Sequence, residues 1–179
     1  PMNTNVARQR QIEGYIFLVA FALCVPVANW MIGHVGTTCV PNGPCLVPVA
    51  PGIMAPSGVL MVGLALVLRD LVQRRLGLGW GIGAIVIGAL LSAYIAPPSL
   101  VVASTVAFLL SEFADLLVYT PLQKKRLVLA VFASSVVGLI ADSIAFLYLA
   151  FGSLEFLEGQ ILGKLWMVPV SYTHLRAHE

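Results

Sequence analysis

Residues 99–119 read SLVVASTVAFLLSEFADLLVY. Apart from Glu112 and Asp115 the stretch is uncharged, and a single helix of roughly 20 mostly apolar residues is enough to cross a bilayer. Ionisable groups at membrane depth are costly, so they face a bundle interior and mark a pathway or a paired network. Ala103, Ala107, Ser111, Asp115 and Tyr119 recur at every fourth position, with Ser104, Phe108 and Glu112 in the adjoining row. Residues four apart lie one above another on a helix. The segment is therefore expected to be a helix with a small, polar edge and an apolar back, as suits one that lines a cavity.

The next apolar run, 127–151, repeats the design: Ser134, Gly138 and Asp142 follow the same interval, with Ser135 and Ser143 beside them. The two polar edges are expected to face each other across a hairpin turned at 120–126. At ~1.5 Å rise per residue, Glu112 and Asp142 fall nearer mid-membrane than Asp115. Arg69 and Asp70 lie near the inner end of another apolar run, 53–72. For Arg69, Asp70 and Asp115 a structural ion network is favoured, with Arg69 either reaching the interface or neutralising Asp115. For Glu112 and Asp142 a functional role is favoured, because a structural pair at their depth needs a basic partner. Lys164 is the other candidate for that partner.

Composition extends the same reading to the whole chain. Of 179 residues, 59% are hydrophobic and 10% charged, and the mean hydropathy is +0.95. A soluble domain with that balance would lack the polar surface to face water. The apolar segments are 15–32, 53–72, 79–95, 99–119, 127–151 and 160 onward. The expected fold is an all-α, polytopic integral membrane bundle of about six helices. One transmembrane domain is expected over 1–170. The last segment spans half the required length by 170, where composition changes to SYTHLRAHE. That string resembles translated adaptor sequence, so 171–179 is expected to be a non-native tail and Met2 the natural start.

Charge placement sets an expected topology. Arg8, Arg10, Arg74, Arg75, Lys124, Lys125 and Arg126 flank alternate connections, whereas 33–51 and 96–98 contain no Lys or Arg and 152–159 carries only Glu155 and Glu158. The positive-inside rule then puts the N-terminus in the cytoplasm, in the cell membrane. The clusters read as topology signals, so nucleic acid is not an expected partner. Cys24 reads as a small apolar residue inside the first helix. Cys39 and Cys45 flank VPNGP in an external connection, where a small disulfide loop and two free thiols both stay open. A metal site there is disfavoured, His34 being the only nearby partner, and no cofactor is expected. Gly77, Gly79, Gly81, Gly83, Ala84, Gly88 and Ser92 form overlapping small-residue spacings. Intramolecular helix packing is favoured over a homo-oligomer interface as their use.

Three acids and a lysine at depth suit a small-solute carrier, whose site lies near the midplane between packed helices. Carboxylates accept hydrogen bonds from the N–H edge of a heterocyclic amine. An intramembrane enzyme is the alternative from a different class. It is disfavoured because neither a nucleophile pair nor a glycine-rich partner for a second catalytic acid is found, and no catalytic residue is assigned.

APSGVL at 55–60 with RDLVQRRLG at 69–77 resembles the signature of the putative vitamin uptake transporter family. VAS at 102–104 with SEFADLLVY at 111–119, ASSVVG at 133–138 with DSIAF at 142–146, and QILGK at 160–164 are similar to further blocks of that family in the same order. Members of the family are described as queuosine precursor transporters. The resemblance implies a cytoplasmic-membrane carrier that imports a deazaguanine base with a cyano or aminomethyl substituent for tRNA modification. A substrate-capture subunit of a multi-component vitamin importer is the alternative within transport. The expected substrate-binding residues are Glu112, Asp115 and Asp142, supported by Arg69, Asp70, Lys164 and Tyr119. Stacking by Phe108, Phe113, Tyr119 or Phe146 is weighed against plain packing, which is favoured.

Overall fold

The computed structural model describes residues 4–41, 44–155 and 157–176. Among these residues six helices follow one another: α1 (Thr4–His34), α2 (Val59–Leu76), α3 (Leu78–Ile95), α4 (Val101–Leu122), α5 (Leu127–Phe151) and α6 (Leu157–Arg176). Between α1 and α2 lie three short strands, β1 (Thr38–Cys39), β2 (Cys45–Ala50) and β3 (Ile53–Pro56). They form an antiparallel sheet in the order β1-β2-β3.

The chain is an all-α membrane bundle with this sheet covering one end. α1, α3, α4 and α5 are long and apolar enough to cross a membrane. α2 carries the buried Arg69 and Asp70 and packs against all five other helices, whereas α6 carries the buried Lys164, packs on α2 and α5, and turns Trp166 and Val170 outward. The low hydropathy of both reflects these inward-facing polar groups, which neighbouring helices satisfy. The outward faces of the other helices are apolar, with Leu90, Tyr94, Val102, Leu117 and Tyr148 among the most exposed side chains.

Three boundaries differ from the sequence expectation. The stretch 53–72 is not one helix: Ile53–Pro56 pairs with β2, and helix begins at Val59. Pro56 explains the break, since a residue before proline is pushed to extended backbone. Pro48 is accommodated because β1 pairs only with the start of β2, leaving the Pro48 side of the strand unpaired. α1 starts at Thr4, well before its apolar part, as a helix ladder can run beyond the lipid-facing stretch. α6 has 20 residues and continues to Arg176, because nothing at 171–176 breaks a helix. The tail expected over 171–179 lies outside the described residues, apart from that helical backbone, and so does Met2.

Cys39 and Cys45 are joined by a disulfide that closes β1 onto β2. The sheet is fastened to the bundle by Trp166, whose indole N–H donates to the Val49 carbonyl at 2.8 Å. Ser57 Oγ donates to the Met31 carbonyl at 2.6 Å. At the opposite end Arg75 Nε lies 2.8 Å from Glu13 Oε2, which brings the basic start of α1 beside the basic end of α2. The α4–α5 turn with Lys124, Lys125 and Arg126 is at that same end. The bundle thus has a sheet end and a basic end.

The small-residue stripe of α3 divides in two. Gly81, Ala84, Gly88 and Ser92 are buried against neighbouring helices, and a Cβ on Gly88 would collide with the Phe108 ring. Gly79 and Gly83 have open space beside them, with nothing within 4 Å of where a Cβ would stand.

Candidate functional site

All six helices contribute to one cavity of about 110 Å³. It is built from the later halves of α1, α3 and α5 and the earlier halves of α2, α4 and α6, so it occupies the sheet-end part of the bundle. Most of its wall is apolar, with Val25, Met61, Phe108 and Phe146 prominent. The polar groups in it are few: Asn29, Ser92, Ser104, Ser111, Glu112, Asp142, Gln160 and Lys164. A mostly apolar pocket with a small number of placed polar groups is the usual form of a small-molecule site.

Helix periodicity delivers these side chains. On α4 the row Ala103, Ala107, Ser111, Asp115, Tyr119 is buried together with Glu112. On α5 Ser134, Ser135, Gly138, Asp142 and Ser143 are buried. Two glycines allow the close approaches the site needs. A Cβ on Gly138 would come within 3.2 Å of both the Asp115 Cβ and the Ser111 carbonyl, so glycine lets α5 settle closely against α4 here. A Cβ on Gly63 would meet the Lys164 carbonyl oxygen at 2.6 Å, so Gly63 lets α6 lie directly on α2.

The residues singled out from the sequence separate into two groups. Glu112, Asp142 and Lys164 reach the cavity. Arg69, Asp70, Asp115 and Tyr119 do not line it; they are sealed beneath its floor, toward the basic end, each with 0% relative exposure. In this lower cluster the Arg69 guanidinium meets four side chains. Nη1 donates to Gln73 Oε1 at 2.6 Å and Nη2 to Asp115 Oδ1 at 2.7 Å. Nη2 also contacts Asp70 Oδ1. Its Nε lies 3.2 Å from Glu112 Oε2, an ion pair without hydrogen-bond alignment. The guanidinium carbon sits 5.6 Å from the centre of the Tyr119 ring, a cation–π distance. Ser134 Oγ donates to Asp70 Oδ2 at 3.1 Å, bringing α5 into a network that already joins α2 and α4.

The second cation is organised differently. Lys164 Nζ contacts Asp142 Oδ2 and donates to Ser143 Oγ and to Gln160 Oε1, each at 2.8 Å. An ammonium has three N–H donors and no acceptor. All three are engaged by protein, so Lys164 holds α5 to α6 and presents no free donor to the cavity. Glu112 is the hinge between the groups, touching Arg69 on one side and the cavity on the other.

Phe108 and Phe146 line the cavity, whereas Phe113 is 43% exposed on the outer face. Sequence reasoning missed the amides of Asn29, Gln73 and Gln160. Gln73 and Gln160 each stand four positions from a buried cation, Arg69 and Lys164, on the same helix face, and that spacing is the signal that marks them. Among the described residues no group of His, Cys, Asp and Glu is placed to hold a metal ion.

Residues 59–175, which include α2 to α5, most of α6 and both charged clusters, match the family model described as putative vitamin uptake transporter. The chain belongs to that family. Its match begins where α2 begins and covers Glu112, Asp142 and Lys164 as well as the lower cluster, while α1 and the sheet lie before it. No curated protein and no solved structure matches the chain. Family and fold together make this a multi-pass membrane protein of a transporter family, and a small-molecule cargo accords with the cavity.

Proposed function

We propose that the chain imports a queuosine precursor, a deazaguanine base with a cyano or aminomethyl substituent, across the cytoplasmic membrane. The observation that carries this reading is the cavity shared by all six helices, apolar in most of its wall yet presenting the carboxylates of Glu112 and Asp142. A fused heterocycle needs apolar or aromatic contact on its faces and acceptors for its N–H edge. Phe108 and Phe146 suit the first requirement and the two acids the second. Arg69, Asp70, Asp115 and Tyr119 then act from below: they hold Glu112 in place and close the path toward the basic end. Lys164 keeps Asp142 in its position.

Orientation follows from charge. The basic end faces the cytoplasm under the positive-inside rule, and the disulfide at the sheet end suits an oxidising exterior. The cavity would then receive its cargo from outside. Protein catalysis is not part of this reading: the Ser134 hydroxyl donates to the sealed Asp70 and Ser143 accepts from Lys164, so both are read as members of the packing networks.

The reading is tested in cells lacking both queuosine synthesis and precursor uptake, supplied with a limiting amount of each deazaguanine base. Expression of the chain is expected to restore queuosine in tRNA, and Asp142→Asn is expected to abolish that restoration. Asparagine still offers Lys164 an oxygen acceptor, and the amount of inserted protein and its unfolding midpoint in detergent separate a missing negative charge from a collapsed bundle. A membrane-inserted chain that restores nothing with any base would exclude these substrates.

A further inference from the structure

The cavity contains a polar group whose orientation is dictated by chemistry. Gln160 is 2% exposed and lines the cavity. Its Oε1 accepts from Lys164 Nζ at 2.8 Å. Because lysine only donates, the amide cannot turn round without placing its NH2 against an ammonium. The Nε2 end is therefore fixed away from Lys164, and among the described residues it has no acceptor. This NH2 is not among the sealed polar atoms of the bundle and belongs to a residue of the cavity wall, where an acceptor on a ligand would complete it.

The other cavity groups make this donor distinctive. Glu112 and Asp142 accept. Asn29 turns the opposite way from Gln160: its Nδ2 donates to the Val25 carbonyl at 2.9 Å, leaving Oδ1 as the free end. The Lys164 donors are all consumed. The Ser111 hydroxyl donates to the Phe108 carbonyl at 2.9 Å, and those of Ser92 and Ser104 rotate to donate or accept, so Gln160 is the amide donor of this wall that is held in a fixed direction.

We propose that Gln160 is a specificity-determining residue, whose amide N–H reads a carbonyl oxygen on the cargo ring, and that Lys164 is the residue that positions it. The inference rests on the heterocycle reading above. It selects, within that class, rings with an oxo group beside N–H donors over rings with an amino group at the oxo position. A site built to hydrogen-bond one group discriminates strongly against a ligand that leaves its partner unpaired.

The test is competitive binding to the purified full chain in lipid nanodiscs. The two probes are cyano-substituted deazaguanine and the same ring carrying an amino group in place of its carbonyl oxygen. The wild type is expected to favour the oxo ring. Gln160→Glu keeps an acceptor for Lys164 but replaces the fixed donor with an acceptor. It is expected to shift the affinity ratio toward the amino ring by about tenfold or more, in keeping with one hydrogen bond exchanged for an unpaired group. Gln160→Met removes both functions and is expected to shift the ratio less, while weakening the oxo ring. Lys164→Met releases the amide to turn and is expected to move the ratio in the same direction. A general loss of packing would weaken both probes alike, so the ratio separates recognition from damage. Unchanged ratios in the two Gln160 variants would overturn the assignment of Gln160, and an unchanged ratio in Lys164→Met would remove its positioning role. A wild type that binds neither ring would overturn the heterocycle reading itself, and this inference with it.

Discussion

Arg69 illustrates how a single side chain sets the terms for its surroundings. Its planar guanidinium meets Gln73, Asp70, Asp115 and Glu112 in different directions at once. A lysine, with its compact charge, has no equivalent fork. Removing the cation leaves acids buried and uncompensated, which costs about 3–5 kcal/mol for a broken buried pair. Arg69→Met is therefore expected to lower the thermal unfolding midpoint sharply in detergent, and Arg69→Lys to recover part of the loss. The upper pair permits a cleaner test. Lys164→Met alone strands the Asp142 carboxylate and is expected to destabilise by a similar amount, whereas Lys164→Met with Asp142→Leu removes both charges and should restore much of the stability. A double variant no more stable than Lys164→Met would show that Lys164 contributes through something other than this pair. The separation of roles is equally a matter of single side chains. Asp115 and Glu112 are three residues apart on α4, yet one is sealed with Arg69 and the other also reaches the cavity.

At the scale of the helices, packing distance is controlled by where side chains are absent. Gly63 and Gly138 sit at contacts where an added methyl would meet backbone or a neighbouring Cβ. Gly63→Ala must push α6 away from α2, and overpacking of this kind costs about 1–3 kcal/mol. It should also displace Lys164 and weaken cargo binding. Gly83→Ala is the matched control: nothing lies within 4 Å of the added group, and alanine is the better helix former by roughly 0.5–1 kcal/mol. It is expected to be neutral or slightly stabilising in the same unfolding measurement. The sequence pattern of α3 does not by itself distinguish these positions, since every glycine in the stripe shares the spacing. Only the identity of the helix opposite separates a contact glycine from one with open space beside it.

For the whole molecule, the decisive asymmetry is between the sheet end, with its disulfide and the cavity, and the basic end, with the sealed cluster below the cavity floor. Cysteines introduced at exposed positions read this directly. With the basic end in the cytoplasm, Ser153→Cys at the sheet end is expected to react with a membrane-impermeant thiol reagent in intact cells, and Lys124→Cys only after permeabilisation. The native background is low, because Cys24 is buried and Cys39 and Cys45 are bonded to each other. The opposite labelling pattern would reverse the assigned orientation and place the cavity on the cytoplasmic side.

Hydropathy and a four-residue interval are local properties of the chain, so the membrane class, the helical segments and the buried edge of α4 were legible from residue order. The same holds for which ionisable groups would be brought inside, since lipid leaves them no other place. The sheet was not legible, because its strands are too short and too rich in proline to show an alternating pattern. Depth along the helices already set Glu112 and Asp142 apart from Asp70 and Asp115, but residue order could not decide whether Arg69 reaches the interface or pairs with Asp115, nor find the fixed amide of Gln160. Those outcomes depend on which helix stands opposite each polar edge. They also depend on how far the long side chains of Arg69 and Lys164 reach, and on how many of their donors are already taken. The assembled bundle settles these, because partners far apart in the chain compete there for the same few hydrogen bonds.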